Sequence, residues 1–107
     1  WQDRAMSNWK AHERRTARRL SGTRTGNRGT ATADVEAGAW SVECKSRKEL
    51  PGWLLDAMAQ AKRNAAPGTV GIVVLHKVGQ RSDNDIVCLT MADFQAVVSM
   101  TNKEPSV

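Results

Sequence analysis

Asp34, Glu43 and Lys45, within the stretch "DVEAGAWSVECKSR", are residue types that together can handle a hard cation and a phosphate. Mg²⁺ takes oxygen ligands, often one or two carboxylates, and completes its octahedron with water and substrate phosphate. An Asp and a Glu on neighbouring strands meet that need, with Mn²⁺ able to substitute. The backbone carbonyl of Cys44 would add an oxygen ligand without requiring a particular side chain. Lys45 is placed to orient or help deprotonate a metal-bound water, or to offset charge on an attacked phosphate. A Glu-x-Lys alone is a common tripeptide and reads first as an ion pair on a solvated strand face, so the metal reading depends on the elements that carry it.

Those elements read as a hairpin. "TADVEAG" has the pattern of a short strand, "AG" that of a tight turn, and "WSVECKSR" that of a second strand. A period of two sends Trp40, Val42, Cys44 and Ser46 to one face and Ser41, Glu43, Lys45 and Arg47 to the other. Upstream, Ser7 as an N-cap and Gly22 just past the end mark a helix over about residues 8–20. Its inward stripe would be Trp9, Thr16, Ala17 and Leu20, with Lys10, Arg14, Arg15, Arg18 and Arg19 mostly outside it. Glu13 falls on the stripe, and burying an unpaired charge is costly, so it calls for a partner: Arg14 or Arg18 one turn away, or a cation at the core edge. Between helix and hairpin, "SGTRTGNRGTA" reads as a flexible loop from which Arg24 and Arg28 could grip phosphates.

Downstream, "LPGWLLDAMAQAKRNAAPG" has apolar residues at helical spacing, with Pro51 in the first turn and Pro67-Gly68 closing it. "TVGIVVLHKV" is the near-continuous apolar run of a strand covered on both faces, expected to lie parallel to its neighbour. "DIVCLT" gives another strand, and Thr90 caps a helix over "MADFQAVVSM" with Asp93 at N3 and Phe94, Val97 and Val98 facing the sheet. The expected order is α-β-β-α-β-β-α, an α/β chain with a mixed central β-sheet flanked by helices.

The composition fits one small domain: 107 residues, 40% hydrophobic and 25% charged. "VGIVVL" is far too short to cross a bilayer, and no signal-peptide core follows the basic N-terminus, so a soluble, cytoplasmic protein without a membrane partner is expected. The chain begins at Trp1, which leaves room for native residues ahead of it. Cys44 and Cys88 stand in apolar segments outside any CxxC pattern, which argues for buried thiols over a disulfide or zinc site. The net charge of +5 is concentrated early, in Arg4, Lys10, Arg14, Arg15, Arg18, Arg19, Arg24 and Arg28 against Asp3 and Glu13. Arginine's planar fork suits phosphate oxygens, which makes a nucleic-acid backbone the expected partner of this patch.

Glu13-Arg14 in "HERRTARRL", the loop "SGTRTGNRG", Asp34 and the run "VECKSRKE" occur in an order that resembles the PD-(D/E)XK nuclease superfamily. Within it, the chain is most similar to the archaeal-type Holliday junction resolvases, which also occur in phages. The similarity runs from about residue 8 to 98, with Glu43, Lys45, Ser46 and Arg47 matching the family's E-x-K-S-R run. Ala33 stands where the family commonly has a proline. The resemblance implies a restriction-endonuclease-like core and a metal-dependent homodimeric endonuclease that cuts four-way DNA junctions during recombination and repair. It implies that Asp34 and Glu43 hold the metal, that Lys45 assists the water, and that Glu13 completes the site from the first helix. It also implies Ser21 or Arg24 near the scissile phosphate, and gives Gln60 as a match to a polar position on the helix after the motif. Glu36 is an extra acid that could face the same way as Asp34. The DNA contacts expected are Arg14, Arg15, Arg18, Arg19, Ser21, Arg24, Arg28, Arg47 and Lys48.

Trp53, Leu54, Leu55 and Met58 offer more apolar surface than one helix face directed at a sheet needs, which points to a homodimer. Two other readings stand beside the resolvase: a PD-(D/E)XK nuclease for another DNA substrate, and a module that binds junctions without cutting.

Overall fold

The described residues of the computed structural model are 2–25 and 32–101, with side chains from Trp9 onward. Among the described residues the fold is mixed α/β with three helices and two small antiparallel sheets, and the chain divides into two compact units at Lys48 and Glu49. Among the described residues no helix is long and apolar enough to cross a membrane.

The first unit opens with helix α1, Gln2–Arg19. It begins earlier than Ser7 because "QDRAM" holds good helix formers and neither Gly nor Pro, so nothing interrupts the turn ahead of the serine. Its end is a Schellman motif, in which Ser21 takes a left-handed conformation (φ 53). The Gly22 amide donates to the Ala17 carbonyl at 2.8 Å and the Ser21 amide to that of Arg18 at 3.3 Å. A Cβ at Gly22 would lie 2.5 Å from the Glu36 carbonyl oxygen and 2.6 Å from the Ala37 Cβ, so the helix end sits directly on the hairpin.

That close approach explains a difference from the expected loop. Directly after Gly22 the chain runs along the hairpin as a short edge strand, β1 (Thr23–Arg24), paired antiparallel with β2 (Val35–Ala37). Strand β2 pairs antiparallel with β3 (Trp40–Val42), in the register Val35↔Val42 and Ala37↔Trp40. Gly38, at φ 59 in the two-residue connection, supplies the positive φ that a tight hairpin needs. Val35 is fully buried, and Ala17, Ala37, Thr16 and Glu13 complete the small core of this unit. Trp9 and Trp40, expected to face inward, remain 45% and 46% exposed, because a core of alanines and one valine leaves no depth for an indole.

The second unit comprises α2 (Gly52–Asn64), β4 (Val73–Leu75), a 3₁₀ turn (Ser82–Asn84), β5 (Ile86–Cys88) and α3 (Met91–Thr101). Pro51 stands at the N-cap of α2, its carbonyl accepting from the amides of Leu54 and Leu55 at 3.1 and 3.2 Å. Thr90 caps α3 as expected, its hydroxyl accepting from the Asp93 amide at 3.2 Å. Phe94, Val97 and Val98 are half-buried.

Strand β4 differs from its expected parallel placement. It pairs antiparallel with β5, in the register Val73↔Cys88, Val74↔Val87 and Leu75↔Ile86. The polar connection between them is short and carries a 3₁₀ turn, which reverses the chain without the longer crossover a parallel pair requires. His76 Nδ1 and Asp85 Oδ1, 2.6 Å apart, close the end of this pair. Instead of one mixed sheet, the described strands therefore form a three-stranded and a two-stranded antiparallel sheet. With only two strands, the second sheet does not cover both faces of the apolar run, and Ile72, Val74 and Val87 are 46%, 53% and 55% exposed.

Candidate functional site

Glu13 is buried in the core-facing side of α1, as its place on the apolar stripe requires. Its partner is neither Arg14 nor Arg18, which are exposed on the helix, but Arg24 of β1, whose Nε donates to Glu13 Oε1 at 2.7 Å. Strand β1 lies beside α1, whereas Arg14 and Arg18 are rotated away from the stripe, so the guanidinium from β1 reaches the carboxylate first.

Asp34 immediately precedes β2 and is held at its main chain from both sides. Its amide donates to the Val42 carbonyl at 2.9 Å, and its carbonyl accepts from the Thr25 amide at 3.1 Å. The Thr25 hydroxyl donates to the Ala33 carbonyl next door. The Asp34 side chain is oriented by the Cys44 amide, which donates to Oδ2 at 2.7 Å. This bond also ends the strand: an amide given to a carboxylate is not available to a ladder, and β3 stops at Val42 rather than running on to Arg47.

Glu43 and Lys45 therefore follow β3 rather than lying within it. The ladder ends at Val35↔Val42 and the Asp34 amide turns to the Val42 carbonyl, so no strand pairing sets Asp34 opposite Glu43, in contrast to the two acids expected on paired strands. The alternation of burial does hold, with Glu43 and Lys45 exposed and Val42 and Cys44 half-buried. Lys45 Nζ stands 3.9 Å from Glu43 Oε2, and both side chains are about two-thirds exposed, so water screens this pair.

Cys44 lies half-buried beside Asp34, to which its amide is bonded. Burial pushes its thiol above the ordinary value, and the carboxylates of Asp34, Glu13 and Glu43 push it further, against a hydrogen bond with Thr16 that pulls it down. The Thr16 hydroxyl also donates to the His12 carbonyl at 2.9 Å, which ties this residue to α1. A cleft of about 260 Å³ opens here, lined by Trp9, His12 and Glu13 of α1, by Asp34, and by Cys44 through Arg47.

No family model, curated protein or solved structure matches the chain. Chemistry must therefore be judged from the donors themselves. Glu13 and Asp34 line one cleft, and each has one carboxylate oxygen engaged by a nitrogen donor, Glu13 Oε1 by Arg24 and Asp34 Oδ2 by Cys44. Among the described residues, no three His, Cys, Asp or Glu side chains form a metal-holding group. This donor set fits an open magnesium site, where one or two carboxylates suffice and water with phosphate supplies the rest, and does not fit a closed protein cage.

The remaining expected residues are distributed around the first unit. Arg14, Arg15, Arg18 and Arg19 are exposed along α1, and Ser21 is exposed at its C-terminal turn. Arg47 and Lys48 are exposed, and Arg47 Nη1 donates to the Ser46 carbonyl at 2.9 Å. Arg28 lies outside the described residues. Glu36 is exposed on β2, and Gln60 is exposed on α2 of the other unit.

Sequence reasoning missed Trp9 as part of the cleft wall and the Cys44 amide as the group that orients Asp34. A signal for Trp9 was present, since it precedes Glu13 by four residues and such a pair shares a helix face. The backbone donor had none, because a main-chain amide carries no residue identity.

Proposed function

We propose that the chain is a metal-dependent, structure-specific DNA endonuclease of the PD-(D/E)XK type, acting on four-way junctions like the archaeal-type Holliday junction resolvases. The observation that carries this reading is the cleft lined together by Glu13, Asp34 and Lys45, on the unit that bears the exposed arginines of α1. Glu13 and Asp34 would hold Mg²⁺, with the Cys44 carbonyl as a further donor, and Glu43, which lies outside the cleft lining, would have to turn toward them to join the set. When bound, that ion would supply Lewis-acid stabilisation of the attacked phosphate and lower the pKa of a water.

The chain's own groups have separable tasks. The Cys44 amide fixes one Asp34 oxygen, so the other is presented in a defined direction. Lys45 orients the attacking water and offsets charge on the phosphate. Arg14, Arg15, Arg18, Arg19, Arg47 and Lys48 bind backbone phosphates and set the register of the DNA without reading its sequence. The family's restriction-endonuclease-like core, a dimer formed through the exposed Trp53 and Leu55 of α2, a cytoplasmic site and a role in recombination belong to the same proposal.

One observation favours a junction-binding module that does not cut. Arg24 engages Glu13, and Glu43 does not line the cleft, so the third acid of the expected set stands apart from the other two. Asp34→Asn separates the two readings. A nuclease loses Mg²⁺-dependent cleavage by roughly 10²-fold or more, the scale of one preorganised electrostatic contact, while junction binding in EDTA persists. Equal cleavage by Asp34→Asn and the native chain would remove Asp34 from the chemistry.

A further inference from the structure

Trp9 stands in the wall of the same cleft as Glu13, Asp34 and Lys45, yet 45% of its surface is open to solvent. An indole carries a large apolar area, and its flat face is a binding surface wherever folding does not cover it. Apart from Trp9 and Cys44, the residues that line the cleft are polar or charged. Lys45 and Arg47 line the same cleft and bring cationic groups to it. A flat π-face next to cations suits a ligand that is itself flat and attached to a phosphate, namely a nucleobase on its strand. At about 260 Å³ the cleft is smaller than the roughly 300–1,000 Å³ of pockets for drug-sized ligands, which suits one base and not several.

Bases inside a duplex are stacked on their neighbours and offer only their edges, whereas an unpaired base exposes its faces. We infer that Trp9 is a stacking platform for one unpaired base beside the scissile phosphate, so that part of the selectivity for branched DNA resides in the catalytic cleft itself. This rests on the nuclease reading, and it adds a specificity-determining residue that acts on the base and leaves the phosphate chemistry alone. His12 also lines the cleft.

The test compares the native chain with Trp9→Phe and Trp9→Ala in EDTA, using a short oligothymidylate and a matched linear duplex. Stacking predicts that oligothymidylate quenches a tryptophan emission component present in the native chain and absent from Trp9→Phe. Trp9→Ala should lose affinity for the single strand by roughly 5- to 150-fold, the range for one stacked base, with Trp9→Phe close to native and duplex affinity changed less than about twofold. Equal losses on both DNAs, or no loss on either, would overturn the inference. In either of those cases, persisting Mg²⁺-dependent cleavage by the native chain leaves the nuclease reading standing. Absence of both DNA binding and cleavage overturns the two together. The quench is assigned by comparison with Trp9→Phe, which keeps an aromatic ring at the position, so a Trp9→Ala variant that fails to fold does not remove the test.

Discussion

Glu13 shows how much of the site a single side chain can encode. Its position on the apolar stripe of α1 was readable from helical spacing, and so was its need for a cation. The identity of that cation was not, because Arg24 comes from a strand whose path depends on the close seating of Gly22 against β2. Removing one partner of a desolvated pair strands the other charge, at roughly 3–5 kcal/mol when both are buried. Glu13 is 7% exposed at its side chain and Arg24 is 26% exposed, so Arg24→Ala should cost less, about 2–3 kcal/mol, measured by urea unfolding. Glu13→Gln in the same background should return part of that loss, since the stranded charge is then gone. A cost for Arg24→Ala below about 0.5 kcal/mol would mean that the pair behaves as a screened surface contact.

At the scale of elements, capping chemistry and periodicity located α2 and α3 well, because Pro51, Thr90 and the apolar spacing act within a turn of the chain. The start of α1 was set too late, since a serine can cap a helix only where the preceding residues leave it. The strand ends were the least legible. β3 stops where the Cys44 amide turns to Asp34, and β4 pairs antiparallel, and both outcomes are decided by partners distant in sequence. The turn after α1 offers a direct check on the fold of the first unit. Ser21 holds a left-handed conformation that glycine adopts without strain, so Ser21→Gly should raise stability by up to about 1 kcal/mol. Gly22→Ala should do the reverse and lower the melting temperature clearly, because its Cβ would meet backbone rather than a side chain that can move. A neutral Gly22→Ala would mean that α1 does not end against β2.

For the molecule as a whole, the early concentration of arginine was plain in the sequence, and α1 exposes Arg14, Arg15, Arg18 and Arg19 together. Strand assembly was not plain, because apolar runs declare burial without declaring which strand lies alongside. If the arginine face grips a DNA backbone, log affinity should fall linearly with log salt at about −0.9 per phosphate contacted on duplex arms. Arg15→Ala should flatten that slope by about one contact, while a slope independent of salt in the native chain would remove the arginines from binding. The proposed cleavage at the cleft of Glu13, Asp34 and Lys45 is tested most directly with one labelled four-way junction and its matched linear duplex, each incubated with Mg²⁺ or with EDTA. A metal-dependent resolvase gives paired symmetric nicks in the junction with Mg²⁺, none with EDTA and none in the duplex. Binding of the junction without nicks under Mg²⁺, or nicks that persist in EDTA, would contradict it.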